Sequence, residues 1–347
     1  MEGENMTTKH LLARFLTTIA VVYIVGSYTW LTFRLLFADA WWWLFFLNSL
    51  TVYLLAPSLL FSAYFLLVRR KALVIAVTPL VVILALLFGG LFMPIPSRAT
   101  NHYISVMTHN VFGFNTERRD ELVAILRSSA VDVIALQELD LATAEIISKD
   151  LADLYPFQTL NPANGVSGMG IISRYPAQIA KTAVPGKWLG EPQVVEVTIE
   201  NQAVTIINVH SVSVVIDSLA DIKQGVILRE QSARQLIEFI RNLNGPVIVL
   251  GDFNMTDQNR AYRILASALN DAWRENGFGL GNTFPGGPNR YKILGLHVPS
   301  RLFRLDYVFY TDDLIATSAY LGVWDDISDH KPVVAELSFI TALETIK

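Results

Sequence analysis

The sequence predicts an α/β domain carried behind three membrane-spanning helices. Three observations lead there. Long apolar runs fill the first quarter of the chain; strand-like and helix-like stretches alternate after it; and the strands of that second part end repeatedly in carboxylates, amides or histidines. The 347 residues are 52% hydrophobic and 17% charged, with a mean hydropathy of +0.40. That is too apolar for an ordinary soluble enzyme and too charged for a pure membrane bundle, as expected of one part of each kind.

The apolar runs are Phe15–Phe37, Leu44–Val68 and Ala72–Met93. Each is long enough to cross a bilayer. A buried core helix explains one such run, but not three in succession. Lys9 and Arg14 precede the first run, and Arg69-Arg70-Lys71 separates the second from the third. The break between the first two carries Asp39 and Trp41-Trp42-Trp43, with Arg34 the only nearby cation. By the positive-inside rule the N-terminus and the Arg69–Lys71 turn belong in the cytoplasm, and everything after Met93 outside the cell membrane. The expected division is a membrane domain over 1–93, a linker over 94–101 and a second domain over 102–347. Pro94 and Pro96 stiffen the linker, whose reach is at most ~27 Å. The second domain is therefore expected close to the bilayer surface.

The chain has no cysteine, which excludes disulfides, thiolate zinc sites and a cysteine nucleophile. The first 97 residues hold six basic and three acidic side chains, leaving 21 basic and 28 acidic ones to the rest, a balance of −7. Proteins that hold long nucleic acid non-specifically usually carry a basic surface. This domain does not advertise one.

Beyond the linker, Tyr103–Val111 alternates as a strand and ends at His109-Asn110. Thr116 is placed to cap a helix running through Ser129, with Leu122, Val123, Ile125 and Leu126 as its buried stripe. Asp132–Leu136 is a buried strand ending in Gln137-Glu138. Gly168–Ser173, Val194–Ile199 and Val204–Val209 are further strands, the last running into His210-Ser211. Ile227–Leu243 is an amphipathic helix that leads into Val247-Ile-Val-Leu-Gly-Asp-Phe-Asn254, a strand presenting Asp252 and Asn254 where it stops. Asn259–Leu269 is expected to be helical. Leu305–Tyr310 is a strand carrying Asp306, and Pro332–Phe339 closes the domain after Ser328-Asp329-His330.

Each of these polar residues has an ordinary explanation alone: Asn favours turns, and Glu opening a helix serves its dipole. All of them in one domain are harder to assign to turns. The set lacks a serine nucleophile elbow, a Walker lysine and a zinc-type histidine pair. It offers carboxylates, amide oxygens and two histidines. Mg²⁺ prefers such hard oxygen ligands and often takes one or two carboxylates plus a substrate phosphate. A carboxylate can orient or deprotonate water, and a histidine can hydrogen-bond the charge that develops on phosphorus. Hydrolysis of a phosphate ester is the chemistry this set suits.

At this point the residues resemble the endonuclease/exonuclease/phosphatase superfamily, in a bacterial membrane-anchored form. The matching pieces are Thr108-His-Asn110, Ile134-Ala-Leu-Gln-Glu138, Ser167–Pro176, Asn208-Val-His210-Ser, Gly251-Asp-Phe-Asn254, Arg304-Leu-Asp-Tyr307 and Ser328-Asp-His330, in the family's order. The resemblance implies a four-layer α/β sandwich, two face-to-face sheets flanked by helices. It implies Mg²⁺, with Mn²⁺ as the alternative, held by Glu138 with Asn110 and Asp329, the last near metal or leaving group. Asp252 resembles the residue that acts on the attacking water, and Asn254 one that holds the phosphate, with Asn110 beside it. His330, partnered by Asp306, and His210 resemble the two histidines that contact the phosphate. Phe112 stands where the abasic-site branch has an acidic residue, and that branch lacks a histidine at the position of His210, which argues against DNA repair. His109 belongs on the opposite strand face from Asn110, and His102 and His297 match no motif.

The expected function is that of a membrane-anchored phosphoesterase acting on a lipid or lipid-linked phosphate, a phospholipid or polyprenyl-phosphate type substrate, outside the cytoplasm. An extracytoplasmic nuclease and a non-catalytic membrane partner on a degenerate scaffold are the alternatives. Two apolar loops, Val212–Leu219 and Ile293–Val298, are placed to touch lipid or to pack on their own domain.

Overall fold

A computed structural model describes residues 2–93, 103–113, 118–180, 182–199, 201–213, 219–287, 291–293, 295–324 and 326–340. The linker at 94–101, His102, Thr116 and most of the loop after His210 (214–218) lie outside the described residues, as does 294. The chain divides into two compact units, Met1–Phe92 and Met93–Lys347.

The first unit is helical throughout: α1 (Glu2–Phe37), α2 (Trp42–Ser49), α3 (Thr51–Leu55), α4 (Pro57–Leu67) and α5 (Lys71–Phe88). Two stretches, His10–Phe37 and Lys71–Phe92, are long and apolar enough to cross a membrane. The middle run is not a third straight span. It bends by 72° between Trp42–Ser49 and Thr51–Leu67, as a broken span or a re-entrant loop would. Hydropathy could not foresee the bend, because the residues that make it are few. The Asn48 amide donates to Asp39 Oδ1 at 2.7 Å and to the Ala38 carbonyl at 2.9 Å. Trp30 Nε1 donates to Asn48 Oδ1 at 3.1 Å. The Thr51 hydroxyl takes the Asn48 carbonyl at 2.5 Å. Buried polar groups at a helix break are tolerable in an apolar setting only when paired in this way.

The second unit holds two six-stranded mixed sheets with helices on their outer faces. In chain order come β1 (Tyr103–Asn110), α6 (Arg119–Ser129), β2 (Val133–Gln137), α7 (Leu141–Asp150), β3 (Phe157–Asn161), β4 (Met169–Ser173) and β5 (Ala177–Ile179). Next are β6 (Gln193–Ile199), β7 (Gln202–His210), α8 (Leu219–Arg241), β8 (Val247–Asp252), α9 (Arg260–Leu265), β9 (Asn270–Asp271) and α10 (Ala272–Asn276). The chain closes with the hairpin β10 (Lys292–Ile293) and β11 (Leu296–His297), then β12 (Asp306–Tyr310), β13 (Leu314–Leu321) and β14 (Val333–Phe339). The first sheet runs β13-β14-β1-β2-β4-β3 and the second β5-β6-β7-β8-β12-β9. This is the four-layer arrangement expected, with α8 beginning at Leu219 rather than Ile227.

Each sheet is built around one parallel pair, β1 with β2 and β7 with β8. A parallel pair needs a crossover, here α6 in one sheet and α8 in the other. The helices bury their apolar stripes outward of the sheets: Leu122, Val123 and Leu126 against Met107, Ile134 and Leu136, and Leu236, Ile237 and Ile240 against Ile207, Val209 and Val249. Because paired parallel strands point the same way, their C-terminal ends coincide. Asn110 stands opposite Gln137, and His210 opposite Asp252. Antiparallel β12 starts where β8 stops, which sets Asp306 opposite Asp252.

The sheets also meet through polar groups. Gln137 Nε2 donates to Asn208 Oδ1 at 2.7 Å, and Asn208 Nδ2 donates to the carbonyls of Leu136 and Gly170 at 3.0 Å each. Asn208 is fully buried, so this amide fixes the register of one sheet against the other just beneath the strand ends.

Candidate active site

Asp252 is the hub. It is 1% exposed, and its Oδ2 accepts from Asn110 Nδ2 at 3.1 Å. The same oxygen lies 3.6 Å from His210 Nε2 and 3.7 Å from His330 Nε2. Its Oδ1 accepts the Asn254 backbone N–H at 2.9 Å, a turn that Asn254 closes with φ of 49°. Asn110 spends its second amide hydrogen on Glu138 Oε1 at 3.0 Å, and its own Oδ1 accepts from the Phe112 N–H. One amide thereby bridges the carboxylates of two different sheets.

Backbone strain gathers here. Phe112, Glu138 and Asn254 all have φ between 49° and 57°, a region that non-glycine residues seldom occupy and that tends to cluster at functional sites.

The two histidines are held in different charge states. His210 Nδ1 lies 3.1 Å from the Val166 carbonyl; a carbonyl only accepts, so Nδ1 carries the proton and Nε2 faces Asp252. Burial pushes the His210 pKa down despite the neighbouring Asp252, and the ring is neutral. His330 Nδ1 pairs with Asp306 Oδ2 at 2.8 Å. Burial opposes its charge, yet Asp306, Asp252 and Asp329 more than offset that and hold the His330 pKa well above its usual value. A neutral and a cationic imidazole on either side of one carboxylate is an arrangement with distinct acid and base ends.

Glu138 is the more exposed carboxylate, its side chain 12% accessible. Burial, with Asp329 and Asp252 nearby, pushes its pKa up to about 7, although Asn110 and His330 pull the other way. A crowd of carboxylates that holds back ionisation is what a divalent cation would relieve. By distance alone Asp252, Asp306 and His330 could also grip an ion, their ligand atoms lying within 4.8 Å of one another. Asp306 Oδ2 is committed to His330, however, and Mg²⁺ takes oxygen in preference to nitrogen. Glu138 and Asp329 offer a hard cation carboxylate oxygens, Asp329 Oδ1 being, like Asp306 Oδ1, buried without a hydrogen-bond partner; Asn110 turns its amide nitrogen toward Glu138 and would have to rotate to offer Oδ1.

Asn254 donates its side-chain amide to the Ser211 carbonyl at 3.0 Å, which turns it along the rim beside His210. Arg229, 2% exposed, reaches up from α8 to the Asn254 carbonyl at 2.5 Å. The structure thus brings Asn110, Glu138, His210, Asp252, Asp306 and His330 into one contiguous network, with Asn254 and Asp329 at its edges. His109 lies on the other strand face, 2% exposed, neither ring nitrogen hydrogen-bonded, its pKa lowered to about 3 chiefly by burial. His297 sits on the exposed hairpin.

Sequence reasoning missed several supports. Ser328 donates from Oγ to the Asn110 carbonyl at 2.6 Å and accepts from the His330 N–H at 3.0 Å, fastening the last loop to the first strand. The Val166 carbonyl carries no side-chain signal at all. Tyr291 donates its hydroxyl to Asp329 Oδ2 from a stretch that reads as loop.

Comparison with known proteins agrees with this geometry. The family model described as the Endonuclease/Exonuclease/phosphatase family matches residues 107–330. No curated protein sequence matches the chain. Among solved structures, zebrafish (D. rerio) TDP2 complexed with a single-strand DNA product is 19% identical with a TM-score of 0.54, over 68% of this chain and 99% of that one. An endonuclease/exonuclease/phosphatase from Bacteroides vulgatus is 16% identical with a TM-score of 0.53, over 69% and 99%. A beta toxin from Staphylococcus aureus is 17% identical with a TM-score of 0.50, over 67% and 99%. At these identities the likeness is one of fold, and it is the family model, covering more than half the chain, that identifies it: the chain belongs to the Endonuclease/Exonuclease/phosphatase family.

Proposed function

We propose that this protein is a membrane-anchored, Mg²⁺-dependent phosphoesterase that hydrolyses a phosphate ester or phosphodiester of a lipid or lipid-linked substrate on the extracytoplasmic side. The observation that carries the hydrolytic reading is Asp252 set between neutral His210 and cationic His330, with Asn110 joining it to Glu138. Glu138, Asn110 and Asp329 would hold the cation, whose contribution when bound is to neutralise phosphate charge and stabilise the departing oxyanion.

The rest is done by the chain's own groups. Asp252 orients the attacking water and takes its proton as the new O–P bond forms and the P–O bond to the leaving group breaks. His330, held protonated by Asp306, donates from Nε2 to a phosphoryl oxygen as negative charge grows there. Asn254 holds a remaining phosphate oxygen through its second amide hydrogen, and His210 joins it only when Nε2 takes up a proton, because its neutral ring presents a lone pair there. The apolar N-terminal unit supports a substrate confined to a membrane surface, and the cations Lys9, Arg14 and Arg69–Lys71 support an outward second domain.

A nuclease reading draws on the likeness to a DNA-bound relative. It needs a basic path for the strand, and residues 98–347 carry a balance of −7.

The test is to offer detergent-purified protein with Mg²⁺ phospholipid, sphingomyelin, polyprenyl pyrophosphate and DNA in parallel, with Asp252→Ala and His330→Ala beside it. Turnover of a lipid phosphate that both substitutions abolish is expected. Brisk DNA cleavage without lipid turnover would overturn the substrate class, and undiminished activity in the variants would overturn the site. A C-terminal reporter active only in the cytoplasm would overturn the topology.

A further inference from the structure

The two oxygens of Asp329 are treated differently. Oδ2 accepts the Tyr291 hydroxyl, whereas Oδ1 is buried and makes no hydrogen bond. Leaving a buried acceptor without a donor costs about 1–3 kcal/mol, more when it is charged. The residue is 5% exposed, and its charge is among those that raise Glu138, so the two carboxylates are near neighbours and a cation between them would give Oδ1 the partner it lacks.

Tyr291 comes from outside both sheets. It stands 38 residues upstream of Asp329, at the mouth of the hairpin β10–β11, where its carbonyl accepts from the Val298 N–H at 2.8 Å. Its ring packs on Phe284 at 5.3 Å between centroids, and Phe284 packs on His330 at 4.8 Å. Phe284 is itself pinned to Phe303 by a pair of backbone hydrogen bonds of 2.9 and 2.8 Å. The Asp329 backbone is fixed separately, its carbonyl accepting from Gly286 at 2.5 Å. What remains to be set is the side-chain torsion that decides which oxygen takes the tyrosine and which is left for a cation. Among the described residues, the Tyr291 hydroxyl is the group hydrogen-bonded to that carboxylate.

We propose that Tyr291 is a positioning residue that turns Asp329 Oδ1 toward the cation site and couples the hairpin β10–β11 to it. The purpose of this arrangement rests on the phosphoesterase reading; the coupling does not. A purely structural tyrosine would anchor the hairpin by its ring and act independently of Asp329, and a double-substitution cycle separates the two.

The experiment uses the full chain in detergent as wild type, Tyr291→Phe, Asp329→Asn and the double variant. Mn²⁺ binding is measured by calorimetry, and Mg²⁺-dependent hydrolysis with bis(p-nitrophenyl) phosphate. Tyr291→Phe keeps the ring, so folding is preserved. It is expected to weaken Mn²⁺ binding about tenfold, the usual effect of losing a group that orients a ligand, and to lower kcat similarly with KM unchanged. Added to Asp329→Asn it is expected to change neither. Wild-type Mn²⁺ affinity in Tyr291→Phe, or losses that multiply in the double variant, would overturn the proposal, as would a wild type that does not bind Mn²⁺. A wild type that binds Mn²⁺ and hydrolyses no phosphate ester would sink the phosphoesterase reading alone, with the coupling still read from calorimetry.

Discussion

Asp306 Oδ2 lies 2.8 Å from His330 Nδ1, and both residues are buried. The pair sits at the crossing of the two sheets, Asp306 opening β12 and His330 following the loop before β14. The carboxylate fixes the ring's orientation and, with Asp252, keeps it charged. Replacing Asp306 with Asn removes that support, so the His330 pKa should fall and the cation should be lost at lower pH. The expected outcome is a fall in kcat of about 10²–10⁴-fold and a basic limb of the pH–rate profile moved to lower pH. An unmoved limb would refute the pairing as the source of the charge.

Glu138 titrates near 7, raised from an ordinary carboxyl first by burial. Its folded pKa is above its unfolded one, so it favours the folded state at low pH and loses that contribution as pH rises to about 7. Metal-free protein should therefore lose stability across that window, by roughly 3 kcal/mol if the whole shift is expressed. A cation must displace the proton below pH 7, so Mg²⁺ affinity should fall about tenfold per pH unit there and level off above. Thermal unfolding in chelator and Mg²⁺ calorimetry at several pH values check the two halves.

Asn208 holds the sheets together by its amide. Asn208→Ala would strand the Gln137 amide and the carbonyls of Leu136 and Gly170 in a dry interior. A loss of about 2–4 kcal/mol is expected, visible as a lowered Tm of the second unit. A change within error would show that water replaces the amide.

Gly168 has no room for a side chain. A Cβ there would stand 1.9 Å from the Leu139 carbonyl oxygen and 2.7 Å from the Ala163 nitrogen. Both are backbone atoms, and neither can turn aside. The Leu139 N–H also donates to the Gly168 carbonyl at 3.0 Å, directly after Glu138. Gly168→Ala is expected to destabilise the second unit by roughly 1–3 kcal/mol and to weaken Mn²⁺ binding by displacing Glu138, both measurable on one preparation. Wild-type binding in this variant would show that Glu138 tolerates movement of its strand.

Much of this was legible in the chain because strand ends are local. An unbroken apolar run that stops at Gly251-Asp252 or Leu136-Gln137-Glu138 announces both a buried strand and a polar rim, whatever it pairs with. The short elements β9 and α10 were not announced: α10 begins at an Asp271 cap whose carboxylate accepts from Trp273 and Arg274, and five residues are too few to show a helical period. The strand β13 escaped for a different reason, its burial being irregular and its pairing with β14 shifted at Ala316/Ser318.

Residue order and periodicity therefore settle what a segment can bury: an apolar N-terminal quarter, an α/β remainder, and a set of acids, amides and histidines at strand ends. They are silent on which ends meet. That Asn110 bridges Glu138 and Asp252, that His210 stays neutral while His330 is charged, and that Tyr291 holds Asp329 were decided by strand pairing and by the packing of one sheet on the other. The physical reason is range. Burial is written in each residue's own side chain, whereas a pKa or a hydrogen bond across the sandwich depends on groups that only the closed fold brings within a few ångströms.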